Sequence, residues 1–81
     1  MGKLKVFDER VMLEILRGGK EMRVMFCDVQ DGDILPQCGN AVVDGDAHLS
    51  GDKSYDGWLF FDTNGNDYFP EDFGAELRKE D

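Results

Sequence analysis

Base is what this sequence lacks most. Nine Lys and Arg stand against eighteen Asp and Glu in 81 residues, a formal charge of −9. The shortage is concentrated: residues 24–77 hold twelve acidic side chains and Lys53 as their one base, whereas residues 1–23 hold six bases and four acids. Phosphate backbones and anionic lipid are recognised by Lys and Arg, so this balance argues against direct nucleic-acid or membrane-surface binding and for a partner with a basic surface. Long apolar runs are missing too. No stretch approaches the roughly 18 residues that a spanning helix needs. The opening MGKLKVFDER has no apolar signal core, which places the chain in the cytoplasm.

Cysteine and histidine are equally scarce. Cys27 and Cys38 are no disulfide framework and read as reduced thiols. A Ser-His-Asp or Cys-His centre would need the single His48 beside Cys27, Cys38, Ser50 or Ser54, with a third group to orient it; no local motif does this, so no enzyme activity is expected. Asp62, Asn64 and Asn66 have the opening spacing of a calcium loop, yet Asp67 and Phe73 stand where that loop needs Gly and Glu. Asp44, Asp46 and His48 alternate but straddle a turn signal, and Cys27, Cys38 and His48 lack the paired spacing of a zinc site. No metal or cofactor is expected.

What is present is apolar and aromatic. The apolar fraction is 41%, with six Phe, two Tyr and one Trp, enough for a single folded domain over 1–81 whose end, 74–81, reads as a frayed charged tail. KVFDERVMLEILRGGKE carries both ends of a helix over residues 8–17: Asp8 as N-cap, Phe7 and Met12 as a staple, and Gly18-Gly19 as the stop. KEMRVMFCD reads as a strand, and residues 28–40 as irregular. Asp44-Gly45 and Asn64-Gly65 are two hairpin signals, and Pro70 opens a single helical turn. These signals give an α+β class that is mostly β: a small curved antiparallel sheet or barrel with one N-terminal helix.

The segment GWLFFDTNGNDYFPEDF resembles the distal half of a Src-homology-3 domain. That family opens a strand with Trp, makes a tight Gly-containing turn, then an aromatic-Pro-x-x-aromatic 3₁₀ turn; the matching residues are Trp58, Gly65, Tyr68, Phe69, Pro70 and Phe73. VMFCD at 24–28 sits where the family has its aromatic-acidic first strand, and DGDIL at 31–35 is loosely like its acidic turn. Val29 stands where the family has a second aromatic, and Asp67 where it usually has Gly. The resemblance implies a small barrel.

Trp58, Tyr68, Tyr55 and Pro70 are the expected contact patch, because Trp and Tyr dominate binding hot spots. Acidic loops around Asp31, Asp33, Asp52 and Asp56 flank it. The function expected is a non-catalytic module that binds a protein partner. The alternative is an acidic inhibitor that imitates nucleic acid, of the anti-restriction or anti-CRISPR type that phages and mobile elements encode, with carboxylates in the places of phosphates.

Overall fold

The computed structural model describes residues 7–51 and 57–77. Six antiparallel strands form one open sheet: β1 (Met12–Arg17), β2 (Lys20–Met25), β3 (Ile34–Leu35), β4 (Ala41–Leu49), β5 (Trp58–Asp62) and β6 (Asp67–Tyr68). Their spatial order is β2-β1-β3-β4-β5-β6. Among the described residues the helical pieces are three 3₁₀ turns, Phe26–Asp28, Pro36–Cys38 and Pro70–Phe73. The fold is all-β, and the expected α+β class with a helix over 8–17 is overturned.

The reason lies in how β1 packs. Leu13 and Ile15 are buried while Met12 and Glu14 are exposed, a period of two rather than 3.6. Gly18-Gly19 is the two-residue loop of a hairpin, with φ of +61° and +79°, the pair of left-handed residues a type I′ turn requires. Six cross-strand pairs from Met12–Met25 to Arg17–Lys20 follow from it. Asp8 caps no helix; its carboxylate accepts from the Arg10 N–H and guanidinium at 2.9 to 3.0 Å. An isolated ten-residue helix is marginal in water, whereas the hairpin buries Leu13, Ile15 and Val24 in the core.

Arg17, the last residue of β1, fastens the loop that follows β2. Its Nε and Nη2 each reach an oxygen of Asp33 at 2.9 Å, and Nη2 also donates to the Asp28 carbonyl at 3.1 Å. Asp33 is 1% exposed and accepts the Gln30 N–H at 2.8 Å as well. Pro36 then ends β3 after two residues, since it has no N–H for a ladder.

Asp44-Gly45, expected as a hairpin turn, lies inside a single nine-residue strand. The register of β4 on β5 passes from Asp44–Phe61 to His48–Leu59, so four steps on β4 oppose two on β5: a bulge, not a reversal. Its backbone turns to the 28–33 loop, with Ala47 N–H on the Val29 carbonyl and Gly45 N–H on the Asp31 carboxylate. Asn64-Gly65 does reverse the chain, joining β5 to β6.

Phe26, Phe60, Ile15, Leu35, Val29 and Val43 are fully buried between these elements. Beyond the third 3₁₀ turn, residues 74–77 are held rather than frayed: Leu77 bridges to Phe7, and the Glu76 carbonyl accepts the Asp8 N–H at 2.9 Å. No helix among the described residues is long and apolar enough to cross a membrane.

Candidate functional site

The described residues expected to share one contact face do so only in part: Trp58 and Tyr68 lie on the Phe60 face of the sheet. Pro70, the first residue of the third 3₁₀ turn, is fully buried, and Asp33 is spent on Arg17, so neither has side-chain surface to offer. Trp58 is half-buried against the core, opposite Leu49, which is 58% exposed. Tyr55, Asp52 and Asp56 lie outside the described residues. Asp31 is exposed and doubly hydrogen-bonded: its N–H donates to the Asp46 carboxylate at 2.9 Å while its own carboxylate accepts the Gly45 N–H at 2.8 Å. That reciprocal lock fixes two carboxylates side by side with no cation in an ion pair to either, among the described residues.

Tyr68 is half-buried and committed to the fold. Its ring stacks on Phe60 at 5.1 Å, and its hydroxyl donates to Asp62 at 2.7 Å. Asp62, buried at the end of β5, also accepts the Asn64 N–H, the Asn66 N–H and the Asn66 side-chain amide at 2.9 to 3.1 Å. Both oxygens are thus saturated by the chain's own donors, which is a hairpin turn's arrangement and leaves nothing for calcium. The Tyr68 hydroxyl foremost, then the Asn66 and Asn64 donors, hold the Asp62 carboxyl down at about 2 against the opposing effect of burial. Burial first, then the Asp62 carboxylate, push the Tyr68 phenol up to about 12.

The signs of these shifts give a testable pH profile. A depressed carboxyl stabilises fully above its unfolded value near 3.9, and that contribution drains as pH falls toward about 2. A raised phenol stabilises fully below about 10 and loses its contribution as pH rises toward about 12. Thermal melts of the Tyr68→Phe variant are expected to fall less steeply than those of the parent in both windows. Parallel profiles would show that the Asp62–Tyr68 bond is not formed in solution.

The outer face of the sheet carries what the sequence reading missed. Asp44 on β4 is directly opposite Phe61 on β5, which is directly opposite Asp67 on β6. Directly opposed residues share a face, so the three form one row across three strands. Phe61 is 38% exposed and both aspartates are exposed. His48 lies beside it, ring centroids 6.2 Å apart. The His48 Nδ1 is 2.9 Å from the Asp46 carbonyl, which can only accept, so Nδ1 carries the proton. The signal was available: in WLFFD, a Phe60 turned inward forces Phe61 outward.

Elsewhere a shallow groove of about 480 Å³ opens where β3 stops short of the first half of β1, lined by Met12, Glu14, Arg23, Cys38, Asp72 and Phe73 among others. Burial foremost, then Asp72 and Asp62, raise the Cys38 thiol above its ordinary range; burial, Asp28 and Glu9 do the same for Cys27. Both are free thiols held in the protonated, weakly nucleophilic form. No three His, Cys, Asp or Glu side chains gather to hold a metal ion among the described residues. No family model matches this chain, and no curated protein or solved structure matches it.

Proposed function

We propose that the chain is a non-catalytic interaction module, working in the cytoplasm, that seats a basic side chain of a protein partner on Phe61 between Asp44 and Asp67. The observation that carries the reading is that row: an exposed ring with a carboxylate on either side in register. A guanidinium gains from the negative face of the ring, and flanking carboxylates complete its charge and hydrogen bonding. The locked carboxylates of Asp31 and Asp46 add to the field that steers a cation toward this surface. Trp58 and its cross-strand partner Leu49 lie on the Phe60 face of the same strand pair, away from Phe61, and take no part in the seat.

The likeness to a Src-homology-3 domain is part of the proposal only for architecture. What supports it is the succession of β5 from Trp58, the turn at Gly65, a short β6 and a 3₁₀ turn from Pro70. With Pro70 buried, a proline-peptide groove is not included.

The test uses an Arg-Gly repeat peptide titrated into isotope-labelled protein and followed by NMR. Amide shifts are expected to centre on Asp44, Phe61 and Asp67, and Phe61→Ser is expected to weaken binding by about tenfold. A nucleic-acid mimic behaves otherwise: its affinity collapses as salt rises and ignores Phe61→Ser. Shifts that avoid this row, or unchanged binding by the variant, overturn the proposal.

A further inference from the structure

Strand β2 is an edge of the sheet, and no strand among the described residues pairs with its outer side. In a two-residue hairpin the residues flanking the loop exchange both backbone hydrogen bonds, and antiparallel pairs alternate from there. Arg17–Lys20 is that pair, so Lys20, Met22 and Val24 turn their N–H and C=O groups to β1. Glu21, Arg23 and Met25 turn theirs outward. The opposite edge, β6, is two residues long, so among the described residues β2 is the one edge with length to recruit another strand.

The side chains on this edge carry an unspent code. Glu21 and Arg23 are both exposed on the outer face, and neither forms an ion pair among the described residues. Charge of one sign on an edge strand repels a second copy of that strand. One charge of each sign, two residues apart, is instead complementary to the same strand running in reverse.

We propose that β2 is a homodimerisation edge: two copies of the chain pair antiparallel about a two-fold axis through Met22, joining their sheets into one. A two-fold axis perpendicular to a sheet sets one residue opposite its own copy, which leaves few registers to weigh. Centring on Glu21 opposes two carboxylates, and centring on Arg23 opposes two guanidinium groups; like charges directly opposite destabilise a sheet. Centring on Val24 sets Glu21 opposite Cys27, which belongs to the 3₁₀ turn and cannot continue a ladder. Centring on Met22 alone sets Glu21 opposite Arg23 of the copy, twice, with their outward backbone groups as the hydrogen-bonded pairs. Arg23, already opposite Glu14 on its own β1, then lies between two carboxylates in one row. On the other face the half-buried Met22 side chain meets its copy. This is a small, weak interface and independent of any other partner.

Sedimentation equilibrium of the full chain from micromolar to millimolar concentration at low salt is the test, with circular dichroism to verify that each variant is folded. A concentration-dependent dimer is expected. E21R and R23E are each expected to raise its dissociation constant by about tenfold, and the double swap E21R/R23E to recover most of that loss, since it recreates the opposed pairs across the axis although it sets a second acid opposite Glu14 within each copy. The near-isosteric E21Q and R23Q repeat the test with smaller losses. A monomer throughout the range, open-ended association, single reversals without effect, or a folded double swap that stays as weak as the single variants overturns the proposal.

Discussion

Replacing Arg17 with Met is expected to lower the stability of the domain by about 3 kcal/mol, or a melting temperature by about 15 °C for a chain of this size. Arg17 donates three hydrogen bonds from β1, two to Asp33 and one to the Asp28 carbonyl. Without it, Asp33 keeps the Gln30 N–H but stands as a buried carboxylate without a counter-charge, at 1% exposure. The converse substitution is gentler. In Asp33→Asn the guanidinium, whose side chain is 29% exposed, turns to water, and the amide oxygen still accepts, so about 1 kcal/mol is the expected loss. The asymmetry is the diagnostic, because an ion pair solvated on both sides would give two small and similar values. Urea denaturation followed by Trp58 fluorescence measures it. A loss under about 1 kcal/mol for Arg17→Met would show that the carboxylate is not buried in solution.

Where the sequence was legible, the local signal had only one physical use. Asn64-Gly65 between two aromatic runs reads as a hairpin and is one, and Pro70 opens a single turn of 3₁₀ helix as expected. Where it misled, one signal served two structures. The run Val11 to Leu16 is too densely apolar to distinguish a period of 2 from 3.6, and Gly18-Gly19 after Arg17 stops a helix or turns a hairpin equally well. The arbiter was β2, since its alternating Met22 and Val24 needed a partner strand and β1 was adjacent. Asp44-Gly45 misled by the same logic: the positive φ of Gly45, +92°, bends a strand as readily as it ends one.

The contact surface was half legible. Acidic residues in loops were read as exposed, and Asp31 is, but nothing local marks Asp33 as the partner of an arginine sixteen residues earlier. Pro70 reads by its type as a turn residue at the surface, whereas the fold buries it fully, which no local signal marks. Phe61 stands out only once Phe60 is placed inward, since adjacent residues on a strand fall on opposite faces. Trp58 and Tyr68 each keep a partly exposed ring, but the Tyr68 hydroxyl is already taken by Asp62.

Assignment of faces on β5 makes the second large expected effect, and the proposed function depends on it. Phe60 is fully buried, its ring 4.9 Å from Phe26, 5.1 Å from Tyr68 and 6.4 Å from Phe73. Phe60→Ala removes the hub of that cluster and leaves a cavity that the flanking strands β4 and β6 cannot close, at a cost of about 3 to 5 kcal/mol. A domain of this size holds about 4 to 12 kcal/mol in total, so the variant keeps about −1 to 9 kcal/mol and unfolds at room temperature where the parent lies at the low end of that range. Phe60→Leu keeps most of the volume and is expected to lose about 1 to 2 kcal/mol, which guards against an unmeasurable alanine variant. Phe61→Ala, one residue along, is expected to change stability by less than about 1 kcal/mol, because it vacates only surface. Denaturant midpoints of the three variants decide the matter, since a one-residue slip of β5 would exchange the two phenylalanines between faces. If Phe61→Ala proved the costlier, Phe61 would belong to the core, the row with Asp44 and Asp67 would have no ring on it, and a cation would have nothing to sit on.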